Sequence, residues 1–183
     1  MAAAQVFDVG AHGEFLATRS KARTVRDSLE KQVDAPSSGS EVVIDFVGVD
    51  AMTISFADEF LGKFYTSVAA GDVSAAVVVL SGLNDETRET ISVCLERRDL
   101  VAASVDRGEL RLIAAPEFLV ETYEHAANLK TFRANDLSES LGVTLSNMNN
   151  RLKRLAAVGA LRRERSSTSN RGGKEYVYSI PSA

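Results

Sequence analysis

The sequence predicts two domains, an α/β domain over residues 1–114 and an α+β domain over residues 115–183 made of helix, turn, helix and hairpin. Three observations predict this. Up to Ile113, short β-branched runs alternate with amphipathic stripes, the pattern of a sheet covered by helices. Ala114, Ala115 and Pro116 then punctuate the chain, and the pattern behind them changes. The charge changes too: residues 128–183 hold ten Lys/Arg against four Asp/Glu, although the whole chain carries −4. An acidic body with a basic C-terminal third suggests that only the tail meets a polyanion. An ordinary solvated basic surface would carry the same charge.

Residues 5–9 and 14–18 read as short strands. Residues 20–33 place Ala22, Val25, Leu29 and Val33 on one stripe, hence an amphipathic helix. Residues 35–40 (APSSGS) are a turn-rich loop. Residues 42–47 (VVIDFV) form a buried strand between turn residues. Inside it Asp45 could bind a ligand or order a loop, though a lone carboxylate there more often hydrogen-bonds the local backbone. Residues 55–68 align Phe56, Phe60, Leu61, Phe64 and Val68 on a second helix. Residues 75–80 (AAVVVL) are almost wholly apolar, as strands covered on both faces are. Residues 85–98 give a third helix that buries Ile91, Cys94 and Leu95, and residues 109–113 (ELRLI) a last strand. Asp58 and Glu59 are adjacent on a helix and point different ways, a poor catalytic pair. Pro116 presets the first turn of a helix over residues 117–129.

Residues 130–181 are the informative stretch. A short helix over residues 135–141 turns Leu137 and Leu141 inward and ends at Gly142, a residue suited to the left-handed conformation. Val143 plugs the core at the turn and Thr144 caps the next helix. That helix, residues 145–158, buries Leu145, Met148, Leu152 and Leu155, and Gly159 stops it. Its outward face is Ser146, Asn147, Asn149, Asn150, Arg151, Lys153 and Arg154. Asparagine is a poor helix former, but its amide can pair with an adenine edge in a major groove. Arg151, Lys153 and Arg154 suit phosphate, which positions without specifying. The alternative is an ordinary polar surface helix. Two alternating strands follow, residues 160–165 (ALRRER) and 175–180 (EYVYSI), joined by a polar, basic loop that contains Arg171 and Lys174.

The order helix, helix, glycine, helix, glycine, hairpin resembles the winged helix-turn-helix domains of bacterial repressors. The resemblance implies double-stranded DNA as partner, operator binding as a homodimer, and a role in transcription regulation. It implies a DNA-binding set of Thr144, Ser146, Asn147, Asn149, Asn150, Arg151, Lys153 and Arg154. Arg171, at the wing tip, would enter the minor groove or touch phosphate, with Lys174 in the same loop. Ser138 stands where that family often has alanine, and Leu145 where a polar contact residue is common.

VIDFVGVDAMTISFADEF (residues 43–60), with GEFLATRSKAR (residues 13–23), resembles the STAS-like domains of bacteria, named for sulfate transporters and anti-sigma factor antagonists. The resemblance covers residues 4–113 and implies a domain that senses, binds a partner or helps dimerise. In anti-sigma antagonists a serine at this helix start is phosphorylated by a partner kinase. Ser55 is the matching position, where a phosphate would meet free N–H groups and the positive end of the helix dipole. Thr53 replaces the usual aspartate, Phe56 replaces a small residue, and Asp58 and Glu59 add negative charge. The simpler reading makes Ser55 an N-cap, with Asp58 and Glu59 favourable in the first turn.

Signals for other chemistry are absent. A single cysteine, Cys94, excludes an internal disulfide and reads as a packed thiol. His12 and His125 lack metal-ligand spacing with it, so no metal or other cofactor is expected. Gly172, Gly173 and Lys174 lack the preceding strand and following helix of a phosphate-binding loop. No apolar run approaches the ~20 residues of a membrane span, and MAAAQVFDVGAHGEF does not read as a signal peptide. The expectation is a cytoplasmic, non-enzymatic DNA-binding transcriptional regulator. The alternative is an anti-sigma-antagonist-like interaction switch, phosphorylated at Ser55, whose winged helix contacts protein.

Overall fold

In the computed structural model, which describes residues 4–34, 41–75, 77–166 and 175–181, alternating strands and helices do build a helix-covered sheet. Residues 35–40, and Arg171 and Lys174 of the hairpin tip, lie outside the described residues. The N-terminal elements are β1 (Gln5–Asp8), β2 (Phe15–Leu16), α1 (Arg19–Val33), β3 (Glu41–Asp45), β4 (Ala51–Met52), α2 (Ile54–Ala57), α3 (Lys63–Ala70), β5 (Val77–Ser81), α4 (Asp85–Glu96), β6 (Ala102–Asp106) and β7 (Glu109–Ile113). The main sheet has the order β1-β3-β5-β6-β7. Its first four strands are parallel, which requires the crossover helices between them. β7 returns antiparallel through Arg107 and Gly108, both at positive φ as a two-residue turn demands.

The predicted stripes are the buried ones. Ala22, Val25, Leu29 and Val33 of α1 face the core, as do Phe56, Phe60, Leu61, Phe64 and Val68. Val77, Val78, Val79 and Leu80 are each at most 1% exposed, so β5 is covered on both faces. Asp45 takes its local role: its Oδ1 accepts from the Ser81 hydroxyl at 2.9 Å and from Val47 N–H at 3.3 Å.

Three N-terminal expectations need correction. The helix expected over residues 55–68 is α2 and α3 joined by a π-helical turn, Asp58–Gly62. The wider turn brings Glu59 inward together with Phe60 and Leu61. The N-cap of α2 is Thr53, whose hydroxyl accepts from Phe56 N–H at 3.1 Å, so Ser55 is not a cap. The strand β6 (AASVD) was not expected, because alanine and serine lack the β-branched signal. It is specified by its neighbours β5 and β7.

The C-terminal elements are α5 (Glu117–Leu129), β8 (Thr131–Arg133), α6 (Ala134–Leu141), α7 (Leu145–Ala157), β9 (Arg162–Arg165) and β10 (Tyr176–Ser179). The three strands form an antiparallel sheet in the order β8-β10-β9. Gly142 takes the left-handed conformation at φ 64°, and Thr144 caps α7 by accepting from Asn147 N–H. Leu137, Met148, Leu152 and Leu155 are buried, and Leu141 and Val143 pack against them. Leu145 is not buried; it is 47% exposed. The inward stripe of α7 starts one turn later, at Met148, because Val143 already fills the inside of the turn.

Gly159 joins the two parts. Its carbonyl accepts from Val78 N–H at 2.9 Å, at the start of a central strand. A Cβ there would lie 2.7 Å from Val78 N, and φ is +74°, so only glycine suits both the approach and the backbone. Arg162 reaches Glu41 across the same boundary at 3.2 Å, while within the C-terminal part the Tyr123 hydroxyl donates to the Ala160 carbonyl. One continuous core runs from Phe7 to Tyr178.

Candidate nucleic-acid interface

The candidate interface is built on α7. Burial of Met148, Leu152 and Leu155 fixes the rotation of the helix. That rotation leaves Ser146, Asn149, Asn150 and Lys153 exposed, with no side-chain partner for them among the described residues. Thr144 is exposed at the helix start; its oxygen accepts from Asn147 N–H and its O–H remains a donor.

The other three outward residues are engaged by the chain itself. Arg151 Nε donates to Asn147 Oδ1 at 3.0 Å, and its Nη1 donates to the Thr122 hydroxyl at 3.1 Å and the Phe118 carbonyl at 3.3 Å. Its guanidinium lies 5.2 Å from the Phe118 ring centroid, a cation–π distance. Arg151 is therefore a strut between α7 and α5. Arg154 is paired with Asp99 at 2.7 Å. The expectation that both arginines point freely outward is corrected: a guanidinium with several donors is drawn to acceptors on neighbouring elements.

Arg163 and Arg165 of β9 are exposed basic residues as well, outside the set expected from the sequence. Arg163 stands over the Tyr176 ring at 4.6 Å, and with Lys153 it lines one side of an open cleft whose other side is the end of α3 and the residues after it, from Val68 to Ala75. The usable signal was the alternation in ALRRER, which assigns some of its arginines to the outer side of a strand.

In the N-terminal part Ser55 is exposed on α2. Asp58 and Glu59 do point apart. Asp58 takes a two-pronged contact from Arg98, Nε to Oδ1 at 2.7 Å and Nη2 to Oδ2 at 3.0 Å, which holds its carboxyl below the usual range. Glu59 is 4% exposed. Lys63 at 2.7 Å, and then Arg26 at 3.0 Å, keep its carboxyl below the ordinary value against the opposing effect of burial. Cys94 is buried with its thiol pushed up to about 11 by desolvation, the environment of a packed thiol. Among the described residues no group of three His, Cys, Asp or Glu is placed to hold a metal, and no helix is long and apolar enough to cross a membrane.

Residues 21–87 match a protein family described as a STAS-like domain of unknown function (DUF4325). The matched span runs from α1 to the first turn of α4 and contains the π-helical turn and the Glu59 ion pairs with Arg26 and Lys63. The mixed α/β architecture is consistent with a STAS-like domain over that span. Neither a curated protein nor a solved structure matches the chain.

Proposed function

We propose that the protein is a DNA-binding transcriptional regulator in which residues 115–183 act as a winged helix-turn-helix. The carrying observation is the exposed, unpartnered stripe Ser146, Asn149, Asn150 and Lys153 on a helix set by buried neighbours. Two features support it. The order α5, β8, α6, α7, hairpin, with the strands arranged β8-β10-β9, is the element order of a winged helix-turn-helix, and Lys153 of α7 lines one cleft with Arg163 of β9. Amides suit base edges, while Lys153, Arg163 and Arg165 suit phosphates. In this reading the protein works by binding rather than catalysis, as a homodimer, because one recognition helix buries little surface and paired half-sites are the usual remedy. The STAS-like domain senses, binds a partner or helps dimerise. Selection of bound fragments from a random duplex pool tests this. A palindromic motif is expected; no enrichment, and no binding at low salt, would reject it.

The exposed hydroxyl of Ser55 favours a second reading, an interaction switch controlled by phosphorylation. Intact-mass and peptide mapping of protein recovered from its host would reveal phosphate on Ser55, and its consistent absence would count against the switch.

A further inference from the structure

Leu145 is a large apolar side chain on the first turn of α7, 47% exposed. A single exposed leucine usually needs no explanation. This one stands among Ser146, Asn149 and Asn150, all exposed and all hydrogen-bonding groups. Residues four apart share a helix face, so Leu145 and Asn149 lie on the same exposed side of α7. Core packing does not require it, since the buried stripe begins at Met148 and Val143 packs at the turn. Phe118, another exposed apolar residue nearby, has Arg151 stacked on its ring, whereas Leu145 has no such cover among the described residues.

The major groove offers one apolar group, the thymine C5-methyl; an adenine edge offers the acceptor and donor that an asparagine amide matches. We propose that Leu145 is a specificity residue that contacts a thymine methyl, beside an adenine read by Asn149. The protein's target would then be a duplex with A·T pairs at neighbouring positions of each half-site. This inference rests on the DNA-binding reading above.

The test uses the full chain and a duplex selected from a random pool. Each thymine is replaced in turn by deoxyuridine, which lacks only the methyl. One position per half-site should then bind about four-fold more weakly, the worth of roughly one buried methyl. Leu145→Ala should bind the thymine and uracil duplexes alike, while Leu145→Met keeps the discrimination. Because the site is exposed, thermal melting should show all three proteins equally folded. Uniform indifference to the methyl would overturn the inference, and so would a methyl dependence that survives in Leu145→Ala. If the wild-type protein binds no duplex even at low salt, the DNA reading falls together with it, a failure that looks different because no affinity is measurable at all.

Discussion

Arg154 donates to the Asp99 carboxylate across 2.7 Å and so ties α7 to the turn after α4. Asp99 is 90% exposed on its side chain and Arg154 33%. An exposed pair of this kind contributes at most about 1 kcal/mol, weak enough for a backbone phosphate to replace it. Asp99→Asn should therefore release Arg154 and strengthen duplex binding about two- to five-fold at low salt. The log–log salt slope should steepen by about one, since one more counterion is displaced. Anisotropy titrations at several salt concentrations measure both, and an unchanged slope would show that Arg154 stays with its own chain.

The exposed stripe separates readers from anchors. Asn149→Ala or Asn150→Ala should relax the preference for the selected site over random duplex, by about ten-fold or more for a lost bidentate contact. Lys153→Ala should weaken both duplexes equally and lower the salt slope by about one. Competition binding with the two duplexes distinguishes these outcomes. Equal losses on both duplexes from the asparagine changes would remove α7 from base readout.

Residues whose neighbours impose a spacing were legible in the sequence. The stripe Ala22, Val25, Leu29, Val33 and the run Val77–Leu80 declare their burial because a core excludes polar groups at those intervals. β6 did not, since AASVD lacks intrinsic strand character and is held by β5 and β7. On α7 the amides were legible, but the partners of Arg151 and Arg154 were not. Thr122 and Asp99 lie 29 and 55 residues away in the chain, and only the fold brings them near. Leu145 misled because its i, i+3 spacing to Met148 fits the inward stripe. Between Thr53 and Ser55, two hydroxyls at one helix start, the backbone geometry decides which one caps.

Gly159 couples the two parts through backbone alone, so Gly159→Ala should destabilise the whole protein. The new Cβ would meet Val78 N at 2.7 Å, and the residue would have to hold φ +74°. A left-handed non-glycine residue costs about 1–2 kcal/mol by itself, and a backbone collision raises the loss to about 3 kcal/mol or more. Because one core spans both parts, the melting transition should move as a single step. Two separated transitions in calorimetry would mean that the parts unfold independently.

Glu59 should set much of the acid sensitivity of the STAS-like domain. Its carboxyl is nearly buried and is held below the ordinary glutamate range by Lys63 and then Arg26. A carboxyl whose folded value is lowered stabilises the protein fully above its unfolded value, near 4.3. That contribution is lost as pH falls through the lower, folded value. Glu59→Gln removes the charge but leaves the Arg23, Arg26 and Lys63 cations around it, so it should cost about 3 kcal/mol at neutral pH. The stability of the variant should also fall less steeply than that of the wild type below about pH 4.3. Urea unfolding at a series of pH values tests both parts. Parallel stability–pH curves for the two proteins would show that the Glu59 charge does not couple to folding.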